Sequence, residues 1–275
     1  MYLINGSEVS KEKFNLPIED LSVWRGDGVF EAIKIHNGYP FGIKLHIDRL
    51  KKSCHDQLFS GINFEEIKEN IFQVAKEYDS GYVRTLVLRG SDADQHNIYI
   101  FHQKPITFPE NFSLQSQQAP WHAGGDFKEE NSVLIAKTTS YAYNVRHTRY
   151  AESNGFTDAL LLNKDNIVLE GPTWSIGWII GENVFVSDLE LGILDSITRK
   201  YLLNFGEKNL LNVSSTKISI NELYEVDSAF VMSTAKHGVF VNKIDEVEYE
   251  ESPLVKKIQN LFTEEVEKER NSIQT

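Results

Sequence analysis

The chain has 275 residues, of which 41% are hydrophobic and 25% charged, and its formal net charge is −12. This mixture is typical of one large or two modest globular domains, and it excludes a disordered or fibrous chain. An acidic surface repels phosphate backbones and anionic lipid headgroups, so we expect neither nucleic acid nor a membrane as a partner.

The cysteine and histidine content excludes further classes of protein. The single cysteine, Cys54, excludes an intramolecular disulfide and a cysteine-based zinc site, and the eight histidines show no metal-ligand spacing. No apolar run approaches the roughly 20 residues of a membrane helix, and the first residues lack the basic and apolar segments of a signal peptide. We therefore expect a soluble, cytoplasmic protein without a metal.

The first part of the chain predicts strands on both sides of two helices. Apolar residues from Ile43 to Leu58 recur at intervals of three and four, which marks one helical face. Asn63, three residues before Glu66, predicts the cap of a second helix. The predicted strands cover residues 2–5, 29–36, 82–89 and 97–102, with the last two paired.

A stretch rich in proline, glycine and glutamine at residues 105–130 has little periodicity, which is typical of a linker. We therefore expect a smaller N-terminal α/β domain over residues 1–120 and a C-terminal domain over residues 121–275. The second domain is predicted to contain a strand at 133–137, a helix at 145–153, a strand-rich run at 157–187, a helix after Thr198, a strand at 228–232 and a helix that Ser252 and Pro253 open. This pattern predicts an α+β protein.

Lys137 and Glu170 each follow directly after an apolar run. At such a position a lysine usually extends its amine to water, and a carboxylate is usually solvated. The functional alternatives are an amine that burial activates as a nucleophile and a carboxylate that keeps a proton on a ring nitrogen. Position alone favours the solvated interpretation for both residues.

Three further features could hold an anion. Ile197 and Thr198 stand where a helix is predicted to begin, and free N–H groups at a helix N-terminus bind phosphate. Thr234 and Ala235 follow another predicted strand and offer a hydroxyl and a backbone amide, while Arg49 offers a cation. Each feature also has an ordinary interpretation as a helix cap, a turn or a surface charge. The glycine-rich phosphate patterns GxxxxGK[ST] and GxGxxG do not occur in the sequence.

In combination these residues resemble the fold-type IV, pyridoxal-phosphate-dependent enzymes, also called class IV aminotransferases. The resemblance rests on RGDGVFEAIKIHNGYPF (25–41), LHIDRL (45–50), AKTTSYAYNV (136–145), NGFTDALLLNKDNIVLEG (154–171), GILDSITRKYLL (192–203) and VDSAFVMSTA (226–235). It implies the two-domain fold of the D-amino acid aminotransferases, with pyridoxal 5'-phosphate bound by the C-terminal domain, and a homodimer.

The resemblance also implies a role for each matching residue. Lys137 stands where the family has its Schiff-base lysine, and Glu170 stands where a glutamate pairs with the pyridine nitrogen. The residues matching the phosphate contacts are Arg49, Ile197, Thr198 and Thr234. Branched-chain members place a tyrosine five residues after the lysine, but here Ala142 stands between Tyr141 and Tyr143. Because a strand alternates its faces, only one register points a ring inward. We assign the place of the family's tyrosine, and with it a contact to the cofactor, to Tyr141.

The choice of substrate rests on weaker likenesses. Tyr82 and Arg84, in YVR, resemble the YIR element of branched-chain aminotransferases. There the tyrosine and arginine reach from the neighbouring subunit and help to receive an acidic side chain of the substrate. Ala235 is also assigned to the substrate. Arg84 also has the ordinary interpretation of a strand-surface charge. These residues favour a branched-chain-like aminotransferase acting on an amino acid and a 2-oxo acid. D-amino acid transfer ranks lower. The D-amino acid aminotransferases have an arginine and a histidine after the RG of their second strand, but the segment SDADQH after Gly90 offers His96 and no arginine.

Two alternatives stay open. The length and the opening YLING resemble aminodeoxychorismate lyase, which forms 4-aminobenzoate and pyruvate. Ser175 lies in Trp-Ser-Ile-Gly, where the family often has Ser-Asn-Ile-Phe, and Ala142 replaces the usual tyrosine. These two departures leave room for a catalytically silent homologue that only binds the cofactor.

Overall fold

The computed structural model of the chain describes residues 1–92, 96–120 and 135–272. The chain forms two compact units. The first comprises Met1–Thr107, Ala136–Tyr141 and Val266–Thr275, and the second comprises Phe108–Ile135 and Ala142–Glu265. The expected boundary near residue 120 adjoins residues 121–134, which lie outside the described residues, and the division into 1–120 and 121–275 stays a prediction.

The described strands of the first unit form one antiparallel sheet in the order β2-β1-β6-β5-β3-β4. These strands are β1 (Tyr2–Ile4), β2 (Ser7–Glu8), β3 (Gly28–His36), β4 (Tyr39–Pro40), β5 (Ser80–Leu88) and β6 (Asn97–Gln103). The four strands expected here are confirmed, including the pairing of β5 with β6. The centre of the sheet is the pairing of β3 with β5 along their whole lengths.

Two helices, α2 (Ile43–Asp56) and α3 (Phe64–Ala75), pack on one face of this sheet. A short helix, α1 (Leu21–Arg25), precedes them and has no buried residues. The apolar face predicted for α2 is confirmed, since Ile47, Leu50 and Cys54 are buried together with residues of β3. The predicted cap of α3 is also confirmed, because Asn63 Oδ1 accepts a hydrogen bond from the Glu66 N–H at 3.2 Å.

The N-terminus of α2 receives a carboxylate from far along the chain. Gly42 precedes the helix in the left-handed region, with φ 66°, and has no side chain to cap it. Glu269 Oε2 accepts hydrogen bonds from the Gly42 N–H at 3.1 Å and from Tyr39 Oη at 3.0 Å. A carboxylate at this position satisfies a free N–H group and complements the helix dipole.

The described strands of the second unit form a mixed sheet in the order β11-β10-β9-β12-β13-β7-β8, with β14 on β13. They are β7 (Phe112–Gln118), β8 (Asp158–Leu162), β9 (Ser175–Ile180), β10 (Asn183–Ser187), β11 (Asn212–Thr216), β12 (Ser228–Ser233), β13 (Lys236–Ile244) and β14 (Val247–Glu248). Strand β7 runs parallel to both of its neighbours. The nearly continuous burial of β8, β9 and β12 shows that both faces of these strands are covered.

The remaining helices are α4 (Ala142–Ser153), α5 (Ile197–Glu207), α6 (Ile220–Leu223) and α7 (Pro253–Ser272). The expected helices at α4, α5 and α7 are confirmed. The strand expected at 133–137 is wrong in its described part, because residues 135–137 lie in no strand and only Thr138 forms an isolated bridge, with Val29. Residues 133 and 134 lie outside the described residues.

Helix α7 is 20 residues long and begins at Pro253. Its expected cap is confirmed, because Ser252 Oγ accepts a hydrogen bond from the Leu254 N–H at 3.3 Å. Charged residues interrupt its apolar positions. Across the described ranges, no helix combines the length with the sustained hydrophobicity that crossing a bilayer demands.

Candidate active site

The backbone of Lys137 is held at the edge of the first unit's sheet. Its carbonyl accepts a hydrogen bond from the Phe30 N–H at 2.9 Å, and its own N–H donates to Ser53 Oγ at 3.1 Å. The neighbouring bridge joins Val29 to Thr138. Residues opposite each other across such a bridge point to the same face, so the Lys137 side chain shares a face with Phe30.

The Lys137 amine lies against two aromatic rings. Its Nζ is 4.6 Å from the centroid of the Phe30 ring and donates a hydrogen bond to Tyr141 Oη at 3.2 Å. The expected strand alternation around Tyr141 is wrong, because α4 already begins at Ala142. The structure nevertheless brings Tyr141 to the lysine, whereas Tyr143 is 62% exposed.

Arg84 lies over the same ring as Lys137. Its Cζ is 5.8 Å from the Phe30 centroid, and its Nε donates to Gln103 Oε1 at 2.5 Å. Tyr82, two residues earlier on β5, points to the same face. Burial lowers the pKa of Arg84, but a guanidinium stays charged at neutral pH. In the described part of the chain, no carboxylate pairs with Arg84.

The position of Arg84 within its own chain is well defined. The resemblance implies that this arginine serves a site from the neighbouring subunit, and that role stays a prediction. In the structure its guanidinium lies over Phe30 of its own chain, the ring that also lies beneath Lys137. A single chain therefore suffices to bring these two cations to one ring.

Arg49 lies on the opposite face of the sheet, where α2 packs. Its Nε and Nη2 donate to the two oxygens of Glu31, each at 2.7 Å. His46 Nδ1 lies 2.7 Å from Glu31 Oε2. The side chains of Glu31 and His46 are 1% exposed and that of Arg49 is 9% exposed. The interpretation of Arg49 as a solvated surface charge is therefore wrong, and we call Glu31, His46 and Arg49 the buried triad.

Burial and mutual attraction set the charges of the buried triad. Burial alone would raise the pKa of Glu31, but the Arg49 charge and the His46 ring together hold it well below its usual range. Burial, together with the charges of Arg49 and Lys137, lowers the pKa of His46, although Glu31 opposes this shift. Near neutral pH Glu31 is therefore ionised, and a neutral His46 carries its proton on Nδ1, where Glu31 accepts it.

Glu31 is a site residue that the sequence reasoning missed, although the sequence carries a signal for it. On β3 it stands in phase with Val29, Ile33 and Ile35, which are at most 1% exposed. A carboxylate at the core phase of a strand must be paired. Two polar groups three residues apart on the facing helix, His46 and Arg49, are the partners available.

In the second unit, Glu170 is held at both its side chain and its backbone. Its Oε1 accepts a hydrogen bond from the Leu194 N–H at 3.1 Å, and its carbonyl accepts one from the Leu161 N–H at 2.9 Å. The residue is half-buried. The interpretation of Glu170 as a freely solvated strand end is therefore wrong.

Ile197 and Thr198 form the first turn of α5. The helix cap is Ser196, not Thr198, and its Oγ accepts a hydrogen bond from the Arg199 N–H at 3.5 Å. Ser196 Oγ also lies 2.9 Å from Thr198 Oγ1. Thr198 is 0% exposed, so its hydroxyl is ordered within the helix turn.

Thr234 and Ala235 form the turn between β12 and β13, and both are half-buried. The Ala235 N–H donates to Ser233 Oγ at 3.3 Å. The next residue, Lys236, is buried, with Nζ 4.3 Å from the Phe108 ring centroid. Burial lowers its pKa to about 8, and the charge of Asp158 opposes this shift.

Trp174, in the altered Trp-Ser-Ile-Gly segment, is anchored and 3% exposed. Its indole Nε1 donates to Asp158 Oδ2 at 2.6 Å, and Thr148 Oγ1 donates to Oδ1 at 2.8 Å. A Cβ atom on Gly171 would lie 2.0 Å from Trp174 Cε2. The segment after Glu170 is thus packed around an indole, and a side chain at Gly171 would clash with that ring.

The expected site residues fall into two groups, one in each unit. The first unit holds Lys137, Tyr141, Tyr82, Arg84 and Arg49. The second holds Glu170, Ile197, Thr198, Thr234 and Ala235. In the first unit Lys137, Tyr141 and Arg84 meet around Phe30, whereas Arg49 lies on the other face of the sheet.

Comparison with known sequences matches the chain to one family, and the similar proteins are named for several different activities. The family described as Amino-transferase class IV matches residues 28–244. The D-alanine aminotransferase of Bacillus licheniformis is 27% identical over 253 residues, 88% of each chain. The aminodeoxychorismate lyase of Bacillus subtilis strain 168 is 24% identical over 260 residues, 90% of this chain and 88% of that one. A probable branched-chain-amino-acid aminotransferase of Rickettsia bellii is 27% identical over 257 residues, 88% of this chain and 86% of that one.

Solved structures agree on the fold. A hypothetical aminotransferase from Mycobacterium tuberculosis in a PLP-bound form has a TM-score of 0.89 and 19% identity, covering 97% of this chain and 98% of that chain. A fold IV transaminase from Curtobacterium pusillum has a TM-score of 0.86 and 21% identity, covering 97% and 92%. The expected α+β, fold-type IV architecture is confirmed.

Proposed function

The chain belongs to the class IV aminotransferase family, whose members depend on pyridoxal phosphate; from this premise we propose that it moves an amino group from an amino acid to a 2-oxo acid, in the manner of branched-chain aminotransferases. The observation that carries the proposal is the half-buried Lys137 amine, hydrogen-bonded to Tyr141 and sharing the Phe30 ring with Arg84. An amine held in this way can react with a carbonyl group, and a nearby guanidinium can receive a carboxylate.

We propose pyridoxal 5'-phosphate as the cofactor of this chain, and the chemistry of the available groups fits it. Lys137 offers a primary amine to the aldehyde, and Glu170 offers a carboxylate to the ring nitrogen. The groups assigned to the phosphate are the guanidinium of Arg49, the N–H groups of Ile197 and Thr198, and the hydroxyl of Thr234. When bound, this cofactor withdraws electrons from the substrate Cα.

The residues of the chain supply the proton transfers and the positioning. Lys137 takes the proton from the substrate Cα and returns one to the acceptor carbon, as a general base and then an acid. Tyr141 holds the Lys137 amine through its 3.2 Å hydrogen bond, and Phe30 shields one side of the amine from water. Glu170 keeps a proton on the ring nitrogen, a task that requires an ionised carboxylate.

We propose that Arg84 receives an acidic group of the substrate. Its Nε is fixed by Gln103, and no carboxylate of the described residues neutralises it. Such a cation favours a dicarboxylic partner such as glutamate or 2-oxoglutarate. Tyr82 and Ala235 keep their assignment to the substrate as part of the same proposal.

Arg84→Ala is expected to lower kcat/KM for glutamate by about 10- to 100-fold, because a hydrogen bond to a charged group is lost. Alanine as amino donor should lose much less, and the affinity for pyridoxal phosphate should not change. Steady-state kinetics with both donors checks this. Arg84→Lys is the matched control, since it keeps the charge but loses the planar fork. Equal losses for the two donors would contradict the role.

The activity itself is tested with a panel of substrates on the wild-type protein loaded with pyridoxal phosphate. The donors are L-glutamate, L-leucine, D-alanine and D-glutamate, and aminodeoxychorismate is included because the B. subtilis relative is a lyase named for it. Products are identified by mass spectrometry. We expect 2-oxo acids from the L-amino acids. Release of 4-aminobenzoate and pyruvate without amino transfer would establish the lyase instead. Cofactor binding without any product would indicate a silent homologue.

The homodimer is also part of the proposal. Tyr143 and Tyr150 are 62% and 51% exposed and stand seven residues apart on α4, which places them on one helix face. Exposed aromatic side chains grouped on one face are typical of protein interfaces. This face supports self-association of the chain.

A further inference from the structure

We infer that Glu31 is a positioning residue that directs the guanidinium of Arg49 toward the phosphate group of the cofactor. The inference rests on the proposed function, which assigns Arg49 to that phosphate. It adds a residue of β3, which acts on the cofactor only through Arg49 of α2.

The first argument is the direction of the ion pair. Arg49 meets the Glu31 carboxylate side-on, through Nε and Nη2, each at 2.7 Å. A guanidinium is planar and carries its donors in a fixed fork, so occupation of one edge determines where the other edges point. Rotation of Arg49 about its side chain would break both hydrogen bonds at once. Glu31 therefore fixes the direction in which the remaining donors of Arg49 point.

The second argument is that Glu31 itself cannot turn. His46 donates to Glu31 Oε2 from Nδ1 at 2.7 Å, so this oxygen receives two donors and Oε1 receives one. With 1% exposure, Glu31 has no water to replace these partners. His46 Nε2 is itself buried and has no hydrogen-bond partner among the described residues. Among the described residues, the neutral His46 ring therefore hydrogen-bonds only to Glu31.

The third argument links Arg49 to Lys137. Residues 46, 49 and 53 lie on one face of α2, since they are three and four positions apart. Ser53, one turn beyond Arg49, accepts a hydrogen bond from the Lys137 N–H at 3.1 Å. The helix face that carries the buried triad thus also fixes the backbone of the proposed catalytic lysine. When Glu31 fixes the direction of the Arg49 guanidinium, it therefore fixes that direction relative to the backbone of Lys137.

A purely electrostatic role for Glu31 makes the opposite prediction. If the carboxylate only neutralised Arg49, its removal would leave an additional positive charge near the phosphate and would strengthen binding of the cofactor. If Glu31 positions Arg49, its removal weakens binding of the phosphate. The sign of the change therefore separates the two roles.

The test compares pyridoxal phosphate with pyridoxal, which lacks the phosphate, by spectroscopic titration of the full-length apoprotein. In Glu31→Gln we expect the dissociation constant for pyridoxal phosphate to rise about tenfold and that for pyridoxal to stay essentially unchanged. Glu31→Asp keeps the charge but draws the carboxylate back by one carbon, so it should show a smaller loss in the same direction. If Glu31→Gln does not fold, because the buried Arg49 loses the carboxylate of Glu31, Glu31→Asp carries the test.

Thr85→Val is the matched control. Thr85 stands directly opposite Glu31 in the pairing of β3 with β5, it is 0% exposed, and its Oγ1 has no partner among the described residues. Valine has nearly the same shape, so this variant should bind both compounds as the wild type does. A loss of phosphate preference in Thr85→Val equal to that in Glu31→Gln would overturn the inference, because any change in this core would then have the same effect.

The remaining outcomes distinguish the inference from the proposed function. Unchanged or stronger preference for the phosphate in both Glu31 variants would overturn the positioning role alone. If the wild type shows no preference for pyridoxal phosphate over pyridoxal, or Arg49→Ala leaves that preference intact, the assignment of Arg49 in the proposed function fails first.

Discussion

Replacement of Lys137 by alanine should lower turnover by about 10⁴-fold or more, because it removes the nucleophile and the general base together. The visible absorption band of cofactor attached through this lysine should disappear, although the cofactor can still bind through its phosphate. Turnover is measured with the best donor of the panel, and the absorption spectrum is recorded during titration with pyridoxal phosphate. The expected loss is larger than that for any other substitution considered for this chain.

Lys236→Met is the matched control for this experiment. Lys236 is also a buried amine, and its lowered pKa of about 8 makes it the other candidate for covalent attachment. Borohydride reduction of the loaded wild type, followed by peptide mapping, should place the cofactor on Lys137. Attachment to Lys236, or wild-type turnover in Lys137→Ala, would refute the assignment.

Trp174→Ala should lower the free energy of unfolding by about 3–5 kcal/mol, the usual cost of removing a large aromatic side chain from a core. The indole is 3% exposed and donates the 2.6 Å hydrogen bond to Asp158, so the substitution opens a cavity and removes one donor from a buried carboxylate. Trp174→Phe should cost less, because it keeps most of the packing and loses only the donor. Chemical denaturation of the three proteins measures the difference.

Gly171 provides a second test of the same contact. A Cβ atom on this residue would lie 2.0 Å from Trp174 Cε2, so Gly171→Ala alone should cost about 1–3 kcal/mol through overpacking. In the Trp174→Ala background the same substitution should cost almost nothing, because the clashing ring is gone. The double-mutant cycle should therefore be strongly non-additive. Additive losses would show that the Gly171–Trp174 contact does not limit this segment.

The sequence predicts most of the fold because local patterns determine most of its elements. The strand at residues 29–36, the helical face from Ile43 onward and the Asn63 cap each depend on residues close in the chain, and each is confirmed. The segment around Lys137 was predicted as a strand because four apolar residues precede the lysine. Its described part instead joins the sheet at a single bridge, so its geometry is set by β3 and not by its own pattern.

The candidate site could be predicted only one residue at a time. Lys137, Glu170 and the first turn of α5 were recognised from motifs that lie within single segments. The partner of Arg49 could not be recognised in this way, because Glu31 lies 18 residues away on another element and only packing of α2 on β3 brings them together. The assignment of Tyr141 to the cofactor stays a prediction, but its reason is wrong, since a helix start and not strand alternation separates Tyr141 from Tyr143. Its hydrogen bond to Lys137 depends on tertiary packing that a single segment does not reveal.

The carboxylate at the start of α2 has a consequence for the order in which the protein is made. Glu269, which accepts the Gly42 N–H, lies 227 residues further along the chain. A nascent polypeptide therefore cannot form this contact at the start of the helix that carries Arg49 until residue 269 has left the ribosome. Completion of this helix end is an event that follows translation of nearly all of these residues, not one that accompanies it.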